Sequence, residues 1–172
     1  MNLYNFTVRL DRSPDDDDFD RLYEAGLDDC LPVASPDGRG EIMVSRRADT
    51  LPAAILTVVD DITKAGFCAV SIETEDLVNL SVVGQRTGRT RESVRLLALG
   101  ARGPGGFPAP VTTGTTPLYS WAMVRDWFRS HYGDHAVAPA DHDADTLVAA
   151  DLLLRARLLT PDMSELQSLI TT

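Results

Sequence analysis

Residues 77–100, LVNLSVVGQRTGRTRESVRLLALG, decide the fold of this chain. They predict a short helix that begins with Ser81 as its N-cap and stops at Gly88, a residue that accepts the positive φ of a tight turn. Thr90 then caps a second helix, 91–99, which Gly100 closes. Two short helices joined by about three residues through a glycine are typical of a helix-turn-helix.

The second helix of this pair has two distinct sides. Val94 and Leu97 fall on one side, where they can pack against the first helix. Arg91 and Arg95, four residues apart, share the opposite side. The amino-terminal end of such a helix is the part that enters the DNA major groove first, which makes these arginines candidate DNA contacts.

The segment after Gly100 predicts a wing. Residues 102–111, RGPGGFPAPV, are too rich in glycine and proline for a helix. They predict a short two-stranded wing or loop that Phe107 and Val111 anchor to the core. Residues 117–121, PLYSW, are the expected return strand.

A further helix follows, with Ser120 as its N-cap. Its predicted apolar face consists of Val124, Trp127 and Phe128. We expect Trp121 and Trp127 to lie in the core. We expect Arg125 and Arg129 to be solvated, because this helix is expected to point away from DNA.

The charge is unevenly distributed along the 172 residues, whose formal net charge is −10. Residues 1–76 hold seven Lys/Arg against seventeen Asp/Glu, and residues 131–172 hold two against seven. Residues 77–130 hold seven arginines against only Glu92 and Asp126. A basic island between acidic flanks is the electrostatic footprint of a module that faces phosphates.

With these motifs in place, residues 77–128 resemble the winged helix-turn-helix of MerR-type regulators, in particular the compact AlpA/excisionase-like branch. The resemblance covers about a third of the chain. The matching features are the two helices, a wing of the form Gly-Phe-Pro-x-Pro-Val, and a Leu-Tyr-x-Trp stretch leading into a helix that ends Val-x-x-Trp-Phe. The second helix pair and the long dimerising coiled coil of full MerR-type regulators do not follow Phe128. The resemblance therefore does not imply that this chain senses drugs or metals, as full MerR-type regulators do.

The resemblance implies roles for particular residues. The base-edge readers would be Arg89, Arg91, Glu92 and Arg95, with arginine favouring guanine N7 and O6. The residues that clamp phosphates would be Ser81, Gln85, Arg86 and Thr90. Arg102 and the backbone of 103–106, including Gly105, would lean the wing on the flanking backbone or minor groove.

Residues 1–76 predict a separate α/β domain. It begins with an alternating strand, 3–10, and a helix that follows the acidic run 15–18 and ends at Gly26. A hairpin of short strands, 28–33 and 41–45, comes next and turns through 36–38. A helix from Thr50 to Gly66 then leads to a strand, 68–72, whose inner side chains are Cys68, Val70 and Ile72. The order β-α-β-β-α-β is that of a ferredoxin-like domain. The domain carries no catalytic constellation, so we expect assembly or partner binding rather than an enzyme.

Residues 131–172 predict a linker and C-terminal helices. His131, His135 and His142 lie in an expected loop. A zinc site there would need Asp141 or Asp143, and solvated histidines are the preferred interpretation. A helix from Asp145 has a wide apolar face and breaks at 160–161, and a second short helix carries Leu166, Leu169 and Ile170. This apolar surface either folds back on the domains or pairs with another chain, and a homodimer is preferred.

The sequence as a whole favours a cytoplasmic, sequence-specific double-stranded DNA-binding protein, and we expect a bacterial transcriptional regulator. We expect an α+β protein without cofactor or metal. We also expect no membrane contact, because no apolar run could span a bilayer and residues 1–10 lack a signal pattern. Cys30 and Cys68 are expected to be reduced. The alternative is an antitoxin-like or phage-derived adaptor whose acidic N-terminal domain binds a protein. A third hypothesis is a recombination accessory factor of the excisionase kind.

Overall fold

The computed structural model describes residues 1–34, 38–137 and 142–160, together with Ser164 and Leu166. It is a mixed α+β structure with an antiparallel sheet, as the sequence predicts. Contacts divide the chain into two compact units. Unit 1 combines residues 1–73 with the segment that begins at Asp143, and unit 2 is 74–142. In the part of the chain that the structure describes, no helix has both the length and the apolar character needed to cross a membrane.

The first six elements follow one another in the order strand, helix, strand, strand, helix, strand, and a two-residue strand then precedes the helix pair. The strands and helices are β1 (Asn2–Leu10), α1 (Asp16–Glu24), β2 (Cys30–Ala34), β3 (Gly40–Ala48), α2 (Leu51–Lys64), β4 (Ala69–Ile72), β5 (Leu77–Val78), α3 (Leu80–Thr87), α4 (Arg91–Ala98), β6 (Tyr119–Ser120), α5 (Trp121–Tyr132) and α6 (His142–Leu159). A single 3-10 turn, Asp134–Ala136, follows α5.

The four long strands of unit 1 form one antiparallel sheet in the order β2-β3-β1-β4. Alternate side chains of β1, among them Val8, point into the core, and Ile42 of β3 joins them. Leu22 of α1 and Ile62 of α2 are fully buried in the same cluster. Both helices therefore pack against the sheet through one apolar core.

Two strand predictions in unit 1 were wrong in detail. The hairpin strands were expected to be short, but β3 has nine residues because it pairs along its whole length with β1, whereas its pairing with β2 covers only 40–44. In β4, Ala69 and Ile72 are the fully buried side chains, rather than Cys68, Val70 and Ile72. The pairing of β1 with β4 shifts register between Arg9 and Leu10, and this bulge changes which side chains face the core.

Helix α6 packs on unit 1 and covers the outer edge of β4. The carboxylate of Asp151 accepts the Ile72 N–H at 3.0 Å, and the Arg157 guanidinium donates to the Ala69 carbonyl at 3.2 Å. Leu154 is buried in the same core cluster as β1. These side chains satisfy backbone groups that an edge strand would otherwise leave open. The sequence left open whether the tail, 131–172, folds back on the domains or pairs with another chain, and the contacts place its helix with residues 1–73.

Two further tail predictions can be compared with the structure. Helix α6 begins at His142 rather than Asp145, and His131 lies in the last turn of α5 rather than in a loop. The short helix expected around Leu169 and Ile170 falls outside the described residues, as does Asp141 of the zinc alternative.

In its described residues, unit 2 contains the helices α3, α4 and α5, the 3-10 turn that follows α5, and the two-residue pair of β5 with β6. Val83 of α3, Val94 of α4 and Phe128 of α5 are fully buried and belong to one apolar cluster. The helix pair is thus held by a core of its own, to which each of the three helices contributes.

Candidate nucleic-acid interface

The turn between α3 and α4 has the geometry that its glycines predict. Gly88 ends α3 with a φ of 64°, and Thr90 accepts the Ser93 N–H at 3.1 Å as the N-cap of α4. Gly84 lies so close to the turn that a Cβ on it would be 2.7 Å from the carbonyl oxygen of Arg89. The two helices therefore meet in a close backbone approach that only glycine permits at this position.

The N-cap of α3 was predicted wrongly. Asn79, not Ser81, caps the helix: its side-chain oxygen accepts the backbone N–H groups of Ser81 and Val82 at 2.9 and 3.1 Å. Asparagine is among the strongest N-cap residues, so the sequence did contain the signal, two positions earlier. Ser81 is exposed within the first turn of α3, and Gln85 is exposed one turn later.

The amino-terminal end of α4 is open to solvent. Thr90, Arg91 and Glu92 are all exposed, whereas Val94 and Leu97 on the opposite side are buried. Among the described residues, Arg91 forms no ion pair with a carboxylate. Within the described part of the chain, the amino-terminal end of α4 thus carries an exposed guanidinium, that of Arg91, without an ion-pair partner.

Arg95 and Glu92 form a bidentate ion pair one turn apart on α4. The Nε and Nη2 of Arg95 donate to Oε2 and Oε1 of Glu92 at 2.8 and 2.7 Å. The hydrogen bonds from Arg95 lower the pKa of Glu92, and the charges of Arg95 and Arg91 lower it further. The Glu92 carboxylate is therefore ionised and held in place on the exposed side of α4.

Two other predicted DNA contacts are engaged within unit 2. The guanidinium of Arg86 pairs with Glu75 at 3.0 Å and lies 5.1 Å from the ring centroid of Trp121. The guanidinium of Arg89 lies 4.5 Å from the ring centroid of Tyr132. Both side chains are half-buried, because each stacks on an aromatic ring of α5.

The predicted wing is a loop rather than a two-stranded element. No strand is assigned between 101 and 118, all of which the structure describes, and β6 pairs with β5 instead of with the wing. The loop closes through the Val111 N–H, which donates to the Leu118 carbonyl at 2.8 Å. Its glycines and prolines leave too few adjacent extended residues for a ladder.

Of the two residues expected to anchor the wing to the core, only Phe107 does so. Phe107 packs edge-on against Trp127 and Phe128, with ring centroids 5.0 and 6.3 Å away. Val111, in contrast, is 58% exposed. The wing backbone is also tied down at Gly105, whose carbonyl accepts the Trp127 Nε1–H at 3.0 Å. Arg102 at the start of the loop is exposed.

The expected solvation of the α5 arginines was wrong. Arg125 is 5% exposed and pairs with Asp126 at 3.2 Å, and Arg129 is partly buried beside Asp134 at 3.5 Å. Trp127 is in the core as expected, and Trp121 is partly buried against it. Helix α5 therefore uses its basic residues inside unit 2.

Two acidic residues at the start of unit 2 have roles that the sequence did not predict. Glu75 pairs with Arg86. The main-chain carbonyl of Asp76 accepts the Trp121 N–H at 2.7 Å, and its carboxylate accepts the Ala122 N–H at 2.8 Å, in the first turn of α5. Both had been assigned to the acidic N-terminal domain, and no pattern along the chain links them to partners so distant in sequence. Within the described residues, no cluster of His, Cys, Asp and Glu could hold a metal ion.

Comparison of the chain with protein-family models, with curated proteins and with solved structures found no match.

Proposed function

We propose that this chain is a sequence-specific double-stranded DNA-binding protein, a bacterial transcriptional regulator that places the amino-terminal end of α4 in the major groove. The observation that carries the proposal is the exposed end of α4, where Arg91 forms no ion pair with any carboxylate that the structure describes and stands beside the fixed pair Glu92–Arg95. A guanidinium reads guanine by donating to N7 and O6, which fits Arg91.

The finer fold assignment supports this function. We interpret unit 2 as a winged helix-turn-helix, because α3 and α4 meet through Gly84 and a loop packed by Phe107 follows them. We interpret unit 1 as a ferredoxin-like domain, because its strand order β2-β3-β1-β4 and its βαββαβ sequence match that arrangement. Unit 1 would assemble two protomers or receive a protein partner.

The internal contacts of Arg86 and Arg89 set the expected strength of binding. A surface ion pair such as Arg86–Glu75 stabilises by about 0–1 kcal/mol, so a DNA phosphate can replace Glu75 at small cost. A stacked guanidinium such as that of Arg89 can keep its ring while its N–H groups face a phosphate. We therefore propose that Arg86 and Arg89 contact phosphates of the DNA backbone and that Arg91 reads a base.

The test is selection of bound sequences from a random duplex pool, followed by affinity measurements at several salt concentrations. Arg91→Ala should abolish the preference for one guanine, whereas Arg86→Ala should keep the preferences and weaken binding. Each lost phosphate contact should lower the slope of log affinity against log salt by about 1. Arg47→Ala, which removes an exposed arginine from β3, is the matched control and should change neither quantity.

A second candidate, the protein-interaction adaptor, is favoured by one observation. The sheet face opposite the helices exposes Leu31 and Met43, which lie directly across from each other on β2 and β3. Duplex binding that is absent, or that does not depend on salt, would support the adaptor and reject the regulator. Identical sequence preferences for the wild type and Arg91→Ala would reject α4 as the reading helix.

A further inference from the structure

Glu92 is an acidic side chain at the end of α4 that would face a polyanion. Its side chain is 61% exposed, and that of Arg95 is 43% exposed. A carboxylate near phosphates is unfavourable unless it has a partner both in its own protein and on the DNA. The partner in the protein is Arg95, and the DNA partner can be deduced from the geometry of the pair.

We propose that Glu92 selects a cytosine in the bound duplex and that Arg95 is the positioning residue that holds its carboxylate, rather than a reader of guanine. The inference rests on the proposed function, since it assigns the base specificity of the same helix. It changes the role that the sequence implied for Arg95 and leaves Arg91 as the guanine reader.

The bidentate pair leaves the carboxylate able to accept further hydrogen bonds. Arg95 occupies one acceptor site on Oε1 and one on Oε2. An ionised carboxylate has about four acceptor sites, so each oxygen keeps one of them. Arg95 thus fixes the orientation of the Glu92 head group without using up its capacity to accept from a base.

The pattern of donors in the major groove then selects the base. Only cytosine N4 and adenine N6 carry donors at that edge, while guanine and thymine present acceptors that repel a carboxylate. Adenine also presents N7, an acceptor adjacent to its donor, whereas cytosine has no acceptor at its own major-groove edge. A fixed carboxylate therefore prefers cytosine.

Arg95 is better suited to hold Glu92 than to read a base itself. Reading guanine would require its guanidinium to leave two charge-assisted hydrogen bonds of 2.7–2.8 Å. Glu92 would then stand near the phosphates with only the neighbouring Arg91 to offset its charge. Because Arg91 has no carboxylate partner among the described residues, it can contact guanine without this loss.

The test is the same duplex selection carried out with the wild type, Glu92→Gln, Arg95→Ala and Arg95→Lys. Circular dichroism checks that each variant keeps the helix content of the wild type. Glu92→Gln should change the preference at one position from cytosine to adenine, because glutamine pairs with adenine N6 and N7. We expect the cytosine preference at that position to fall by about tenfold, and the guanine position read by Arg91 to stay unchanged.

The arginine variants separate positioning from direct reading. Arg95→Ala should weaken the discrimination at the cytosine position and leave every guanine position intact, and Arg95→Lys should restore part of the discrimination. Loss of a guanine preference in Arg95→Ala would show that Arg95 reads a base, and would overturn the inference. So would an unchanged set of preferences in Glu92→Gln, even if its overall affinity rises from the lost negative charge.

The failure of this inference differs from the failure of the proposed function. If the wild type selects a defined sequence and Glu92→Gln selects the same one, only the role of Glu92 is rejected. If the wild type selects no sequence at all, the proposed function is rejected and the role of Glu92 with it.

Discussion

The Asp18 carboxylate is fully buried in α1 although it carries a charge. It is held by the guanidinium groups of Arg12 and Arg21 and accepts the backbone N–H of Asp15 at 3.1 Å. The hydrogen bond from Arg12 lowers its pKa from the ordinary value of 3.8 to about 2. A carboxylate whose pKa is lower in the folded than in the unfolded protein stabilises the fold while it is ionised.

Replacing Asp18 by asparagine should therefore destabilise unit 1 in a pH-dependent way. At pH 7 the variant should unfold at lower denaturant concentration than the wild type, because both arginines lose their partner. The difference should shrink as the pH falls from about 4 to about 2, where the wild-type carboxylate takes up its proton. Asp16→Asn, an exposed change in the same helical turn, is the control and should have a small effect at each pH. A difference between the Asp18 variant and the wild type that is as large at pH 2 as at pH 7 would contradict the assignment.

Cys30 provides a second prediction at the scale of the residue. Burial and the neighbouring Asp29, which accepts a hydrogen bond from the thiol at 3.1 Å, raise its pKa to about 12. Since the thiolate is the reactive form, Cys30 in a Cys68→Ser background should alkylate at pH 8 at least about 100-fold more slowly in the folded than in the unfolded protein. Mass spectrometry of the labelled chain measures both rates. Equal rates would show that Asp29 and the surrounding side chains do not protect the thiol.

At the scale of the element, local signals in the sequence were sufficient where a helix end or an apolar period determines the structure. Thr90 and Ser120 cap the helices that they were predicted to cap, and Gly88 ends α3. These local signals were insufficient where contacts with residues distant in sequence determine which side chains are buried. The inner side chains of β4 depend on a bulge opposite Arg9, and the burial of Arg125 depends on the packing of α5.

The close approach of α3 to the turn gives a prediction for the helix pair. Gly84→Ala should lower the free energy of unfolding of unit 2 by about 1–3 kcal/mol, because the new Cβ would meet the Arg89 carbonyl and force the helices apart. Chemical denaturation followed by tryptophan fluorescence reports on this unit, which contains both Trp121 and Trp127. The matched control is Gln85→Ala at an exposed position of the same helix, expected to stay within about 0.5 kcal/mol of the wild type. Equal stability of the two variants would mean that the turn relaxes without cost.

For the candidate site, the sequence predicted which residues stand on α4 but not which of them are free. The pairing of Arg95 with Glu92 could have been expected from their spacing of three residues on a helix. The partners of Arg86 could not, because Glu75 and Trp121 lie 11 and 35 positions away and meet it only after unit 2 has folded. Base-reading candidates therefore need the three-dimensional structure to be ranked.

At the scale of the whole molecule, the sequence left open where the C-terminal helix packs, because an apolar face does not identify its partner. The structure places Leu154 in the core of unit 1 and joins Asp151 to the Ile72 N–H of β4. Some 70 residues of unit 2 lie between these two elements in the chain. Unit 1 is thus built from two segments that are distant along the chain.

This arrangement predicts that α6 opens together with the N-terminal residues rather than with its neighbours in sequence. Ile62→Ala removes a fully buried side chain from the core of unit 1, at a cost of about 2–5 kcal/mol, and should accelerate hydrogen exchange in α6 and in β1 alike. Phe128→Ala removes a comparably buried side chain from unit 2, and should accelerate exchange in α3 and α4 while leaving α6 protected. Exchange in α6 that follows Phe128→Ala, or that is fast in every variant, would show that the contacts of Leu154 and Asp151 do not hold the helix. Since exchange measures the free energy of local opening, a common response of α6 and β1 would mean that these two elements unfold as one cooperative unit.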